Sequence, residues 1–230
     1  MHAMILAAGH GERMRPLTDK TPKAMLEVNG QPLIQYHVEN LVQSGIVDIV
    51  INHAVFGNQI EDYLGDGNIY GARIVYSPED DNPLDTAGGI VKALPLLGGE
   101  SFVTVNADIW TDFSFLQLFG SSQDRSDKDR SNNLAHIILV DNPAHNLQGD
   151  FSLSGDRVLN EGATMLTFSG ISIFRTEFFE DCPSGNASLT PMIRQAAAQG
   201  RMTGSHYQGE WRDIGTPERL QALRQSFEYK

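Results

Sequence analysis

The sequence predicts a three-layer α/β fold: a mostly parallel central sheet, helices on both faces, and a strand-rich insertion in the second half. Two observations carry this. Apolar runs of strand length at residues 4–8, 48–52, 72–76 and 101–105 alternate with helical patterns, and such alternation implies parallel pairing through crossover helices. From residue 134 onward strand follows strand instead, at residues 134–140, 149–153, 157–159 and 164–174. A chain of 230 residues is long enough for one large domain with a sizeable core, so residues 1–230 are read as a single unit with halves at 1–110 and 134–217.

After the first strand, Gly9 and Gly11 turn the chain sharply, and Arg13, Arg15 and Lys23 follow. A glycine turn after a strand leaves backbone N–H groups bare, which suits phosphate oxygens. The stretch 6–26 therefore reads as a triphosphate cradle. It is neither common phosphate loop. A P-loop needs GxxxxGK with Ser or Thr, and the dinucleotide fingerprint needs a third glycine, whereas Gly9-His10-Gly11 is followed by Glu12-Arg13-Met14.

Pro32 opens a helix whose apolar residues Leu33, Ile34, Val38, Leu41 and Val42 recur at helical spacing, and Gly45 stops it. The strand at 48–52, a short helix at 59–64 and the strand at 72–76 complete two strand–helix–strand units. Ligands of such sheets lie beyond the carboxyl ends of the strands, which singles out residues 9–13, Asn52 and His53, Pro78 and Glu79, and residues 106–108. His53 is expected to be a hydrogen-bonded structural histidine. The run Pro83-Leu84-Asp85-Thr86-Ala87-Gly88-Gly89 leads into a helix with Ile90, Val91, Leu94 and Leu97 on its apolar face. Asp85 or Thr86 can cap that helix. Glycine costs a helix roughly 1 kcal/mol relative to alanine, so Gly88 and Gly89 also suggest a close approach to the backbone there. The strand at 101–105 delivers Asn106, Ala107 and Asp108 to the same edge, and a carboxylate so placed can hold Mg²⁺ against phosphates.

Residues 120–133 contain no apolar side chain and read as a solvated loop or disordered insertion. Further on, helices are expected at 177–181 and 190–198, a strand at 201–207, and then Trp211-Arg212-Asp213-Ile214-Gly215-Thr216-Pro217. Pro217 suits the first turn of a final helix with Thr216 as its cap.

A formal net charge of −12 argues against a nucleic-acid partner, since phosphate backbones are bound by extended basic surfaces. A free nucleotide stays compatible, because a few local cations and a metal can outweigh the global field. Cys182 is the one cysteine, which excludes an intramolecular disulfide and a thiolate zinc site and suggests a cytoplasmic protein. No run approaches the roughly 20 apolar residues of a membrane span and no signal-peptide pattern precedes the first strand, so no membrane partner is expected. The sequence leaves the oligomeric state open, with a monomer plausible.

The pattern Gly9-x-Gly11-x-Arg13-x-x-Pro16-x-Thr18 with Pro22-Lys23 closely resembles the signature of the sugar-nucleotide pyrophosphorylases, which join a nucleoside triphosphate to a sugar 1-phosphate. The segment PLDTAGG, Asn106-Ala107-Asp108 and Trp211-x-Asp213-Ile214-Gly215-Thr216-Pro217 resemble further elements of that family, in its order, so the likeness runs from residue 4 to 217. It implies a Rossmann-like nucleotidyltransferase fold, with 1–110 mainly nucleotide-binding and 134–217 mainly sugar-binding. By this resemblance Ala8, Gly9, Gly11, Glu12, Arg13, Lys23, Thr86 and Gly88 hold the nucleotide, the base lying against the start of the helix after residue 84. Arg13, Lys23 and Asp108 are the implied catalytic residues, and Asp108 and Asp213 the implied Mg²⁺ ligands. Asn106, Asp150, Glu161 and Ser169 match places where the family holds its sugar 1-phosphate, although Asp150, Glu161 and Ser169 each also read as turn residues.

One departure is informative. Glucose- and mannose-type members carry Glu-Lys-Pro where this chain has Glu161-Gly162-Ala163, so the lysine that grips the sugar phosphate is missing. The segments GERMRPLT, INHA, YSPE, DNP, GDF and LTFSGIS are most similar to a uridylyltransferase branch acting in bacterial cell-wall recycling. That implies UTP and a bulky sugar 1-phosphate bearing N-acetyl and lactyl groups. The chain is expected to end without the acetyltransferase or left-handed β-helix domain of some relatives. Two other readings stay open: a mannose-1-phosphate guanylyltransferase, and a catalytically idle nucleotide-sugar-binding regulatory subunit. The idle reading expects lost lysine or metal ligands, and Lys23, Asp108 and Asp213 are all retained.

Overall fold

A computed structural model describes residues 1–79, 84–120 and 132–228. Among them, β1 (His2–Leu6), β4 (Asp48–His53), β5 (Arg73–Pro78) and β6 (Ser101–Asn106) form the parallel half of a nine-stranded sheet, in the order β5-β4-β1-β6. β1, β4 and β6 carry apolar residues on both faces because both faces are covered, whereas the edge strand β5 leaves Arg73, Val75 and Pro78 exposed. Met4, Val50 and Phe102 point to one face, and Ile5, Ile49, Ile51, Val103 and Val105 to the other. The helix α1 (Leu33–Gln43) and the helix α2 (Asn58–Leu64) cover the second face with Ile34, Val38, Leu41 and Ile60, while α3 (Asp85–Leu97) covers the first with Ile90, Ala93 and Leu97. Fully burying one such branched side chain is worth roughly 1.5–3 kcal/mol, which makes this packing the main support of the architecture.

The strand-rich half completes the same sheet. β11 (Met165–Arg175) pairs antiparallel with β6, and beyond it lie β8 (Ala135–Val140), β12 (Met202–Tyr207), β10 (Arg157–Leu159) and β9 (Phe151–Ser154). The part expected as an insertion is thus continuous with the central sheet, and past β6 the pairing is antiparallel except between β8 and β12. The helix expected at 177–181 is a 3₁₀ turn, Thr176–Phe179. The polar stretch expected as a loop begins in a short helix, Gln117–Gly120, and its residues 121–131 lie outside the described residues.

Two ribbons escape the sequence pattern because their strands are too short to show a period. β2 (Glu27–Val28) pairs with β3 (Gln31–Pro32), and β7 (Ile109–Thr111) pairs antiparallel with β13 (Trp211–Asp213). A separate apolar cluster joins Met14 of the glycine-turn segment to Leu33, Trp110, Ile214, Leu220 and Leu223. It packs the first loop against the end of the chain. The final helix, Pro217–Glu228, starts with Thr216 as expected: its Oγ1 accepts the Arg219 N–H at 3.4 Å.

Candidate active site

The crossover from β1 through α1 leads to β4 on one side, whereas the crossover from β5 through α3 leads back to β6 on the other side of β1. A reversal of this kind opens a crevice at the carboxyl ends of β1 and β6. A cavity of about 430 Å³ lies there, lined by Ala8, Gly9, His10 and Lys23 from the first loop, Asn52 near the end of β4, Glu79 just after β5, Asn106 at the end of β6 and Asp108 just beyond it. Asp85 and Thr86 of α3 and Asn186 from a later loop close it. Its size falls within the range of small-molecule sites.

The turn at its floor is shaped by Gly11. Its φ is +64°, a left-handed conformation, and a Cβ there would stand 3.0 Å from Thr18 Cγ2. The Thr18 hydroxyl donates back to the Gly11 carbonyl at 2.8 Å. Gly11 and Thr18 of the motif thus close one loop, and the buried Met14 anchors it. Lys23 reaches across the cleft, Nζ to Asp108 Oδ2 at 2.7 Å, with Lys23 largely buried and Asp108 about one-third exposed. The structure therefore brings Ala8, Gly9, Lys23, Thr86, Asn106 and Asp108 together. Glu12 and Arg13 are exposed on the 3₁₀ turn Glu12–Met14 and do not line the cavity.

Asn52 and Glu79 were marked only as strand-end positions, and their wiring is specific. Asn52 Oδ1 accepts the Ala7 N–H at 2.9 Å and its Nδ2 donates to Glu79 Oε1 at 2.7 Å. Gly89 gives room for this pair, since a Cβ there would lie 2.5 Å from Glu79 Oε1. His53 is buried, its Nε2 2.6 Å from Glu61 Oε1, the structural part expected of it.

The start of α3 departs from expectation. Asp85 is already helical in position but has φ +54°, Leu84 precedes it as the cap residue, and among the described residues the Asp85 carboxylate takes only the adjacent Thr86 N–H at 2.6 Å. The free amides of Ala87 and Gly88 donate to the Ala187 carbonyl at 2.9 and 3.1 Å, and Ala187 N–H donates to Leu84 O. A Cβ on Gly88 would stand 2.0 Å from the Gly185 carbonyl oxygen. The close approach anticipated at Gly88 is thus made by the protein's own 185–187 loop. That loop also carries Asn186 into the cavity, a contribution no sequence pattern announced.

On the sugar side only Asn106 lines the cavity. Gly170, with φ +82°, leaves space for it, since a Cβ would come within 2.7 Å of Asn106 Nδ2. Ser169 is buried at an irregularity of β11, where its hydroxyl donates to Ile138 O at 2.7 Å and accepts the Ile171 N–H at 3.1 Å. Its carbonyl accepts the Trp211 indole N–H. Asp150 accepts the Phe168 N–H at 2.9 Å and the Asn146 amide at 3.2 Å. Glu161 is exposed, with its carbonyl accepting from the Ser152 hydroxyl. The structure places these three outside the cavity lining, where backbone groups take up Ser169 and part of Asp150.

Asp213 lies opposite Ile109 in the β7–β13 ribbon, and the Ile214 N–H donates to the Asp108 carbonyl at 2.9 Å. The two acids therefore come from neighbouring positions of one ribbon. Asp213 Oδ2 is held by Arg219 Nη1 and, at 3.0 Å, by His145 Nε2. Carboxylates are hard oxygen ligands of the kind that hold a divalent cation together with substrate phosphates. Among the described residues no group of three or more His, Cys, Asp or Glu could hold a metal without such help. His37 supports the ribbon from below: it is buried, with Nε2 2.9 Å from the Ile109 carbonyl, and burial pushes its imidazole down to about 4. The neutral ring donates Nε2–H to that carbonyl. Its place on the apolar stripe of α1, between Ile34 and Leu41, was a signal available in the spacing.

The chain is 50% identical to N-acetylmuramate alpha-1-phosphate uridylyltransferase of Neisseria meningitidis serogroup B over 96% of its own length and 95% of that protein's. It is 35% identical to the protein of the same name from Caulobacter vibrioides, over 94% and 92% of the two chains. In fold it is similar to a crystal structure of UDP-glucose pyrophosphorylase complexed with UDP-glucose, with a TM-score of 0.77, 18% identity, and 99% and 98% of the chains covered. A family model described as nucleotidyl transferase matches residues 2–145, and with the relatives above it shows that this chain belongs to the nucleotidyl transferase family.

Proposed function

We propose that this chain joins UTP to N-acetylmuramate α-1-phosphate, giving UDP-N-acetylmuramic acid and pyrophosphate, as part of peptidoglycan recycling. The observation that carries the reading is near full-length identity of 50% to a uridylyltransferase of that name. The cleft is chemically suited to it. An oxygen of the sugar 1-phosphate attacks the α-phosphorus of UTP, a new P–O bond forms, the α–β bridge breaks, and pyrophosphate leaves with the electron pair.

The bare amides of the Gly9–Gly11 turn and the Lys23 ammonium stabilise the charge that develops, a task for fixed donors rather than covalent chemistry. Lys23 already stands at the cleft, 2.7 Å from Asp108, and an α-phosphate oxygen offers it a second anion. Asp108 and Asp213 are assigned Mg²⁺, which supplies charge neutralisation at the reacting phosphates. Arg13, at the outer edge of the same turn, is assigned with the Glu12 amide to the terminal phosphates. The base is assigned to the end bounded by Glu79, Thr86 and Asn186, and the sugar to the end bounded by Asn106. The Asp150 and Glu161 segments form the outer wall there, with Ser169 fixing its backbone. Residues 1–110 and 134–217 thus serve mainly the nucleotide and the sugar within one unit. No helix among the described residues is long and apolar enough to cross a membrane, and a cytoplasmic site of action is proposed with this substrate pair.

The test is a matrix of UTP, GTP, TTP and CTP against N-acetylmuramate, N-acetylglucosamine, glucose and mannose 1-phosphates, scored by pyrophosphate release. UTP with N-acetylmuramate α-1-phosphate is expected to give the highest kcat/KM. A preference for GTP with mannose 1-phosphate would overturn the substrate assignment and leave the reaction class standing, whereas no release from any pair would favour an idle binding subunit.

A further inference from the structure

The Asp213 carboxylate is held unequally. Its Oδ2 takes a hydrogen bond from Arg219 Nη1 on the final helix, and His145 Nε2 on the loop between β8 and β9 stands 3.0 Å from the same oxygen. Among the described residues its Oδ1 takes none. The side chain is about one-fifth exposed, so neither fully desolvated nor free to rotate in water.

The surroundings favour this arrangement. Gly215 is packed so closely that a Cβ would meet Arg219 Nη1 at 2.6 Å and Asp213 Oδ1 at 2.9 Å, so any side chain there would break the pair or cover the oxygen that is left open. Thr216 starts the helix that carries Arg219, and Ile214 is fully buried between them. On the other side, the loop that carries His145 is itself fixed. Asn142 donates to the Met165 carbonyl at 2.9 Å, and Asn146 donates to Asp150 at 3.2 Å and to Thr167 at 3.1 Å. Both contacts to Oδ2 therefore come from supported elements, the final helix and the loop between β8 and β9.

We infer that His145 and Arg219 are positioning residues: by contacting Oδ2 of Asp213 they fix the carboxylate so that Oδ1 stays available to a divalent cation bound with the nucleotide. The inference rests on the proposed role of Asp213 as a metal ligand. Partners that orient a metal-bound carboxylate contribute about 10–100-fold in metal affinity. A second consequence follows from connectivity. The loop carrying His145 also carries the contact to Asp150, so the wall proposed for the sugar is tied directly to the carboxylate proposed for the metal.

The experiment measures binding rather than turnover. UTP affinity of the full chain is determined by calorimetry without sugar 1-phosphate, once with EDTA and once with saturating Mn²⁺, and the ratio of the two constants is the metal-dependent gain. His145→Ala and Arg219→Met should each reduce that gain about 10–100-fold while leaving UTP affinity in EDTA unchanged. His145→Asn, which keeps an N–H donor, should recover most of it. A merely structural contact would alter both affinities or neither. An unchanged gain in His145→Ala and Arg219→Met, or a larger one from relief of cation repulsion, would overturn the positioning role. Asp213→Asn separates the two layers: if it keeps the full gain, the assignment of Asp213 to the metal fails, and if it loses the gain while the other two variants keep it, the positioning inference alone fails.

Discussion

Replacing Lys23 with alanine separates what the residue does for folding from what it does for reaction. Its ammonium is largely buried and 2.7 Å from Asp108 Oδ2, while the Asp108 side chain is 38% exposed. Water can therefore reach the carboxylate left behind, and the stability loss should stay near the scale of exposed ion pairs, up to about 1 kcal/mol. In a chain of this size that lowers Tm by about 2–4 °C. The reaction loses more, because a preorganised cation aimed at developing charge acts where little reorganisation is needed. Removing one such donor typically costs about 10²–10³ in kcat, or about 2.7–4 kcal/mol. Lys23→Ala should thus be close to wild type in a melting curve and severely slowed in a pyrophosphate-release assay at saturating substrates. A change confined to KM would mean that Lys23 only binds. A melting point lowered by tens of degrees would mean that the pair with Asp108 is a folding element.

Three more substitutions probe other parts of the site. Asp108→Asn and Asp213→Asn should each reduce kcat strongly, and the double variant should be little worse than either, since both act on one ion; fully multiplied losses in the release assay would place the two acids on separate tasks. Gly88→Ala should destabilise by about 1–3 kcal/mol in urea unfolding, because its Cβ would stand 2.0 Å from the Gly185 carbonyl oxygen, and wild-type stability would show that the 185–187 loop yields freely. His37 has a folded pKa of about 4 against an ordinary 6.5, so the unfolded chain binds more protons between those values and stability rises with pH across that window. The full gap corresponds to about 3 kcal/mol, present above pH 6.5 and lost toward pH 4, and His37→Leu should flatten this part of the stability profile.

The fold was legible where a period had room to show. β1, β4, β5 and β6 are five or six residues long with apolar runs, and α1 and α3 carry a repeated stripe, so their places followed from spacing alone. β7 and β13, three residues each, have no measurable period, although Asp213 on one of them was singled out by its motif. The glycine turn, Lys23 and Asp108 were singled out by their motifs, and Gly9, Lys23 and Asp108 line the cavity. The partners of Gly88 were not, because Gly185 and Ala187 arrive from a distant stretch whose sequence says nothing about where it lands. Ser169 shows the opposite limit. A serine before a glycine in a strand reads equally as ligand or as turn, and here both hydrogen bonds of its hydroxyl go to backbone groups of β8 and β11.

Long-range wiring also explains why the motif at the end of the chain matters to a loop at its beginning. Met14 lies in the segment that forms the turn proposed for the triphosphate, and it is buried with Ile214, which directly follows Asp213, and with Leu220 and Leu223 of the final helix. Trp211 hydrogen-bonds the Ser169 carbonyl, which ties the same ribbon to β11 and so to Asn106 across Gly170. The ribbon β7–β13 thus sits between the turn proposed for the triphosphate and the strands proposed for the sugar, and it carries Asp108 at one strand's approach and Asp213 at the other's end. Two anions that repel each other must be brought together for this reaction. A ribbon fixed to both sides, with Asp108 set beside a cleft lysine at its edge, provides a rigid place to do so, and rigidity matters because misplacing reacting groups by about 1 Å can cost 10²-fold in rate.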